Sequence, residues 1–166
     1  AISFSLAAML IYIWIRFEWQ FSLGAIAALI HDVIITVGIF SFLSYEVNLS
    51  IVAAVLTIVG YSMNDTVVIF DRIRENLKKY SKIPIPDLSN ISINETLSRT
   101  LITSITTLLA LFSIYVFGGA ILKGFSFAMI IGVIVGTYSS IFVATPILNY
   151  TNVSQKTILK EDKEKN

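Results

Sequence analysis

Two aspartates of the chain lie within long apolar stretches, where an ionisable side chain is costly. Asp32 follows His31, and Asp65 follows Asn64 in the segment Gly-Tyr-Ser-Met-Asn-Asp-Thr of residues 60–66. A charged side chain near the centre of a bilayer costs roughly 2.5–3.5 kcal/mol on insertion scales, so such residues often belong to ion pathways. A carboxyl group that is balanced between its neutral and charged forms is suited to carrying a proton. The candidates for a proton pathway are Asp65, Asn64, Asp32 and His31.

Arg99 is the fifth candidate for this pathway. It begins a stripe of weakly polar side chains at helical spacing that continues through Thr103, Thr106, Ala110 and Ser113. Arg99 lies at the predicted cytoplasmic end of this stripe, and a cation close to a carboxyl group favours the charged form of that group.

Each candidate also has a structural interpretation. His31 and Asp32 would fix the register of a helix as a hydrogen-bonded pair, and Arg99 would anchor a helix end by reaching the lipid headgroups. Asp65 is the strongest functional candidate, because its neighbours add more polarity than one satisfied carboxyl needs. The adjacent Asp71 and Arg72 are expected to form a solvated pair at the end of a span.

Composition excludes most water-soluble classes of protein. Of 166 residues, 55% are hydrophobic and 14% are charged, and the mean hydropathy is +0.80. A soluble domain carries about a quarter charged residues. The chain has a net charge of +1, no cysteine and a single histidine. These values argue against a soluble enzyme, a nucleic-acid partner, a disulfide scaffold and a metal site, and we expect no cofactor.

The elements that must position the candidates are membrane-spanning helices. A helix needs about 20 mostly apolar residues to cross a bilayer, and five windows qualify or nearly qualify. We predict an all-α, polytopic transmembrane bundle over residues 1–148, with a polar cytoplasmic tail over residues 149–166. The predicted spans are about residues 1–15, 21–45, 49–70, 97–117 and 125–148. The first window is short, so we interpret it as the trimmed end of a longer helix.

The longest connection, residues 71–96, is predicted to be a cytoplasmic loop. Pro84 and Pro86 predict a non-helical stretch, and the capping box Ser92–Glu95 predicts that a helix restarts near Ser92. Eleven of the twelve Lys and Arg residues fall on one side of an alternating topology, and Lys123 falls on the other. This bias places the long loop and the C-terminus in the cytoplasm.

Small residues at spacings of about four predict close helix packing. The fifth span contains Gly132, Gly136 and Ser140, and the third contains Gly60. In the second span, Asp32 belongs to a stripe of small residues at positions 24, 28, 32 and 36. Such stripes favour contact between helices over contact with lipid.

Several longer motifs together resemble the signature of the SecF family of bacterial protein-export membrane proteins, within the SecD/SecF branch of the resistance-nodulation-division superfamily. The main one is GYSMNDTVVIFDRIREN at residues 60–76. LIHDV at residues 29–33, NETLSRT at residues 94–100 and the glycine-rich fifth span agree with it. The resemblance covers nearly the whole chain, and the combined signature is very specific.

The resemblance implies a subunit that is not an enzyme and that works with SecD beside the SecYEG channel in the bacterial inner membrane. Such a subunit uses the proton-motive force to help move a translocating preprotein. By motif position, Asp65 corresponds to the family's membrane-embedded aspartate and Arg99 to the arginine of its proton pathway. His31 and Asp32 match a family pattern without a clear role. The chain would hold spans two to six and lack the first span and the extracytoplasmic domain.

Three alternatives remain at this stage. A passive scaffold would only stabilise SecD in the lipid bilayer, without using Asp65. An intramembrane aspartyl protease would also need two aspartates, but the residues around Asp32 and Asp65 do not match the motifs of those enzymes. A self-contained transporter is disfavoured because no repeated half is visible in the chain.

Overall fold

The protein is an all-α bundle, as the composition predicts. The computed structural model describes residues 7, 11–13, 15, 17–44, 48–80, 83–151 and 153. Within them, α4, a π-helical turn and α5 form one continuous rod, so four rods are long and apolar enough to cross a membrane. The elements are α1 (Trp19–Phe42), α2 (Leu49–Lys79), α3 (Ile85–Phe117), α4 (Gly119–Ser139), the π-helical turn (Ser140–Ala144) and α5 (Thr145–Tyr150). The predicted span 1–15 and the tail 149–166 lie mostly outside the described residues.

Two helices extend far beyond the spans predicted for them. α2 begins where the Asn48 side chain accepts a hydrogen bond from the Ile51 amide at 3.1 Å, and it continues for 31 residues. Most of residues 71–96 is therefore helical, and Tyr80, Ile83 and Pro84 are the described non-helical residues between α2 and α3. The cytoplasmic location of this segment stays a prediction.

The predicted helix start near Ser92 is wrong. α3 begins at Ile85, directly after Pro84, and Pro86 occupies its first turn. Proline lacks an amide hydrogen and has a fixed φ, so it suits the first turn of a helix, where the amides have no partner within the helix. Ser92 lies two turns further on, where its Oγ donates to the Leu88 carbonyl at 2.8 Å.

α4 lies at the centre of the bundle and contacts α1, α2 and α3. Gly132 and Gly136 face α2 at close range, because a Cβ atom on Gly136 would lie 3.0 Å from the Ser62 Cβ. A Cβ atom on Gly132 would overlap the side chain of Ile58. Ser140 is buried, and Gly60 on α2 is half-buried. Small side chains therefore allow α2 and α4 to approach each other closely.

This close approach predicts that Gly132→Ala destabilises the bundle. Over-packing a tight contact typically costs about 1–3 kcal/mol, which exceeds the gain of up to about 1 kcal/mol from replacing a helical glycine with alanine. Gly38→Ala is the matched control, since a Cβ atom there meets nothing within 4 Å. We expect thermal unfolding in detergent to occur at a lower temperature for the first variant and not for the second. Equal stability of the two variants would contradict the tight contact.

α1 packs against the rod formed by α4 and α5 at its π-helical turn. The small-residue stripe of α1 is buried along its length, as its spacing predicts. A Cβ atom on Gly24 would lie 2.7 Å from the Ala144 carbonyl oxygen, so backbone meets backbone here. Within the turn, Thr145 donates its hydroxyl to the Ser140 carbonyl at 2.9 Å, five residues earlier. π-Helical turns of this kind are frequent at functional sites.

Candidate functional site

Asp32 is fully buried and is held by three other side chains. Ser62 from α2 and Ser139 from α4 both donate hydroxyls to its Oδ2, the second at 2.8 Å. The Nδ1 atom of His31 lies 3.0 Å from Oδ1. Oδ2 already accepts two hydrogen bonds. A proton bound to Asp32 would therefore lie on Oδ1, between the carboxyl group and the imidazole. His31 is 28% exposed, so it is the open end of this pair.

Asp65 is also buried, but it has much less polar support. It is 2% exposed, and Thr137 from α4 donates a hydroxyl to its Oδ2 across 3.4 Å. A charged carboxylate can accept about four hydrogen bonds, so most of this capacity is unused within the described part of the chain. Asp65 is therefore less constrained by hydrogen bonds than the tightly held Asp32.

Arg99 is close enough to Asp65 for its charge to act on the carboxyl group. Among the described residues, no nitrogen of Arg99 comes within 4.0 Å of an Asp65 oxygen, so the two groups interact across a gap. Arg99 and Asn64 instead border a polar cleft of about 570 Å³ between α2 and α3. The same cleft reaches Arg72 and Glu95 nearer the ends of the two helices.

The five sequence candidates fall into two groups. Asn64 and Arg99 border the cleft between α2 and α3, and Asp65, next to Asn64, contacts Thr137 of α4. His31 and Asp32 lie where α1 meets α2 and α4. No side-chain hydrogen bond connects the two groups within the residues that the structure describes. Both groups, however, accept hydrogen bonds from hydroxyls in the same short stretch of α4. Thr137 donates to Asp65, and Ser139 donates to Asp32.

The comparisons with known proteins agree with the bundle of membrane helices. Residues 1–154 match the family model described as protein export membrane protein SecD/SecF, C-terminal. The chain belongs to this family. Similar relatives are the protein translocase subunits SecF of Cereibacter sphaeroides, 52% identical over 163 residues, and of Rickettsia bellii, 57% identical over 148 residues. These alignments cover 98% and 89% of the chain but 50% and 49% of the relatives, so the chain spans about half their length.

Two solved structures share the fold of this SecD/SecF family member. A SecDF structure in a super-membrane-facing form has a TM-score of 0.83 and 42% identity, and it covers 97% of the chain. SecDF from Thermus thermophilus, described as a translocon-associated membrane protein, has a TM-score of 0.85 and 46% identity, and it covers 89%. The chain corresponds to 22% and 21% of those longer chains. Family membership and the apolar helices show a multi-pass membrane protein.

Beyond Arg99 and the half-buried Thr103, the predicted polar stripe is exposed on the outside of the described bundle. Its hydroxyls on Thr103, Thr106 and Ser113 donate to carbonyls of their own helix. The buried face of α3 is instead the neighbouring row Ser92, Thr96, Thr100, Ser104 and Leu111. Both rows have helical spacing, so periodicity alone did not indicate which row faces the other helices.

Arg72 has different partners from the one that the sequence suggested. Its guanidinium donates to Glu95 at 2.7 Å and to Glu75 at 2.8 Å, so the expected pair with Asp71 is wrong. The Asn76 amide also donates to Glu95 at 2.7 Å and to Ser92 at 2.9 Å. The spacing of three residues between Arg72 and Glu75 indicates a helical pair, but Glu95 is recognisable only once α2 and α3 lie side by side.

This cluster predicts unequal effects of two charge-removing substitutions. We expect Glu95→Gln to lower the melting temperature of the protein in detergent, because Glu95 joins α2 to α3 through two donors. Glu75→Gln is the matched control, since its carboxylate is 66% exposed and bonds within α2 alone. A Glu95→Gln variant as stable as Glu75→Gln would show that the cluster does not hold the helices together.

Proposed function

We propose that the chain is the C-terminal membrane part of a SecF-like subunit of the Sec translocase accessory complex, which uses the proton-motive force to assist polypeptide export. Family membership and the relatives named protein translocase subunit SecF support the first part. The second part depends on one observation. Asp65 is buried at membrane depth with little polar support, and Arg99 acts on it across a gap.

In the proposed mechanism, Asp65 alternates between its protonated and charged forms. Arg99 favours the charged form, and loss of that charge relaxes the attraction between α2 and α3. The change in charge biases two arrangements of the packed helices, and the parts of the full-length protein outside the membrane follow. One proton that crosses about 100 mV supplies roughly 2.3 kcal/mol, enough to shift a two-state equilibrium about fiftyfold.

His31 and Asp32 form the second part of the proposed pathway. Asp32 is inaccessible, but His31 is partly exposed and shares a proton position with Asp32 Oδ1. The imidazole is therefore the member of the pair that can exchange a proton with its surroundings. Stacking of the His31 ring on Tyr138, at 6.4 Å between ring centroids, holds its orientation.

The proposed partners are SecD, the SecYEG channel, the translocating preprotein and membrane lipid. α3 is the least buried of the four long rods within the described residues, so its outer face is the most open to SecD or lipid. The proposed location is the bacterial inner membrane with the C-terminus in the cytoplasm, since the basic residues concentrate at that end of the helices.

The aspartyl protease alternative gains no support from the site. The two carboxyls of an aspartyl protease share one proton, whereas Asp32 and Asp65 belong to separate groups here. A translocase accessory role fits the family without catalysis. A passive scaffold for SecD remains the competing proposal, and it requires no titrating group.

Complementation tests the proposed function. The full-length protein is expressed in bacteria depleted of their own SecF, and secretion of a pulse-labelled reporter is followed. We expect export to recover, and we expect the recovered part to disappear when an ionophore collapses the proton-motive force. The export that remains in cells without the subunit is subtracted. If the recovered export persists after the proton-motive force is collapsed, the result would support the scaffold instead.

A further inference from the structure

Thr137 occupies a branch point that connects three helices. From α4, its Oγ1 lies 3.4 Å from Asp65 Oδ2 on α2 and 2.8 Å from Ser104 Oγ on α3. The same atom lies 2.8 Å from the Val133 carbonyl oxygen, one turn earlier in α4. Ser104 is buried and Thr137 is half-buried, so these contacts lie inside the bundle.

The count of hydroxyl protons restricts how this branch point can work. A threonine hydroxyl has one proton to donate, and here two acceptors compete for it, Asp65 Oδ2 and the Val133 carbonyl. With that proton committed to either acceptor, Ser104 must be the donor in the Ser104–Thr137 bond. Ser104 therefore holds the Thr137 hydroxyl in place while leaving its proton free to turn.

The competition depends on the charge of Asp65. A carboxylate is a stronger acceptor than a backbone carbonyl, and a neutral carboxyl group is a weaker acceptor than a carboxylate. At 3.4 Å the bond to Asp65 is longer than an ordinary O–H···O bond of about 2.7–2.8 Å, whereas the bond to Val133 is of ordinary length. A charge on Asp65 would therefore turn the proton and draw α4 towards α2.

We propose that Thr137 is a positioning residue for Asp65. Its hydroxyl turns from Val133 to Asp65 when the carboxyl group loses its proton, and Ser104 orients it. The inference rests on the proposed function in one respect, namely that Asp65 gains and loses a proton. No charged side chain of α4 faces Asp65, because Lys123 near the start of α4 is its sole charged residue, and the cation that acts on Asp65 is Arg99 of α3.

The position of Thr137 in α4 allows rotation of its hydroxyl to affect contacts elsewhere in the bundle. Two residues further along α4, Ser139 donates to Asp32, and Ser140 bonds the Thr66 hydroxyl at 2.8 Å. A displacement of Thr137 towards Asp65 is carried by the same helix to both of these contacts. The segment is followed directly by the π-helical turn, where the helix is already underwound.

Infrared spectroscopy of the purified full-length protein with its SecD partner tests this inference directly. The difference between wild type and Asp65→Asn identifies the bands of the Asp65 carboxyl group. We expect Thr137→Val, which removes the hydroxyl and keeps the branched shape, to move these bands, and Thr137→Ser to retain them. Thr57→Val is the control, because the Thr57 hydroxyl donates to the Ala53 carbonyl of its own helix. Asp65 bands that are the same in Thr137→Val and wild type would overturn the inference.

Reporter export gives the second measurement. We expect Thr137→Val to reduce export about tenfold, since a lost hydrogen bond to a charged group has an effect of this order. Thr137→Ser should restore export to within about twofold of wild type. Reduced export with unaltered Asp65 bands would make Thr137 a general structural residue and overturn the inference. If Asp65→Asn itself leaves export intact, the proposed function fails, while the infrared result still decides the role of Thr137.

Discussion

Asp65→Asn in the full-length protein will reduce export of a secreted reporter to the level of cells that lack the subunit. Asparagine keeps the shape of the side chain, and its carbonyl oxygen still accepts a hydrogen bond from the Thr137 hydroxyl. It has no carboxyl group that can gain or lose a proton. The variant therefore loses the proton-dependent bias between helix arrangements, which amounts to about fiftyfold per proton at 100 mV. Pulse-labelling of the reporter, with subunit abundance in the membrane measured in parallel, gives the result.

Asp87→Asn is the matched control for this experiment. It makes the same chemical change at an exposed position in the first turn of α3, far along that helix from Arg99. We expect it to leave export unchanged. Normal export by Asp65→Asn, at normal abundance and with normal association with SecD, would leave Asp65 as a packing residue and favour the scaffold.

Arg99→Gln has the second-largest expected effect, a loss of export of about tenfold. The charged form of buried Asp65 has one long hydrogen bond, from Thr137, among the described residues, and the positive charge of Arg99 adds to this support. A cation near a buried carboxyl changes its protonation equilibrium by a factor of about ten or more. Arg99→Lys keeps the charge and should retain most of the export, because no bidentate contact to Asp65 has to be preserved.

The Arg99 prediction also has a distinctive failure. If Arg99 only anchors α3 at the headgroups, Arg99→Gln would lower membrane abundance, and export per molecule of subunit would stay normal. Export is therefore normalised to the amount of protein in the membrane. Equal loss for Arg99→Gln and Arg99→Lys would show that the shape of the guanidinium matters, which would contradict an action through charge alone.

The sequence was sufficient to predict the class of fold and the four long rods that the structure describes. Apolar windows of span length have few alternatives in a bilayer, since only helices and closed barrels satisfy the backbone there. Helix ends were harder to predict. α2 ends at Lys79 and α3 begins at Ile85, so both helices extend into the charged segment 71–96 beyond the apolar windows. Paired side chains such as Arg72 and Glu95 support these helices where hydropathy gives no signal.

The two buried aspartates could be recognised in the sequence, but the hydroxyl groups that bond to them could not. An aspartate at membrane depth is conspicuous, whereas serine and threonine are common in membrane helices and usually bond to their own backbone, as Thr57 does. Ser139 and Thr137 differ from such residues only because a carboxyl group of another helix lies opposite each of them. Asp32 lies opposite Ser139, and Asp65 lies opposite Thr137. That information is in the packing of α4 against α1 and α2, which periodicity does not determine.

Proton flux through the full-length protein tests the central proposal most directly. The protein and SecD, its proposed partner, are reconstituted into vesicles that contain a pH-sensitive dye, in sodium-free buffer, and a pH gradient is imposed. We predict proton uptake by the wild-type vesicles and uptake at the level of protein-free vesicles for Asp65→Asn, with Asp87→Asn equal to wild type. Equal uptake by wild type and Asp65→Asn, or uptake by wild type that requires added sodium, would contradict the proposal that a proton on Asp65 drives the cycle.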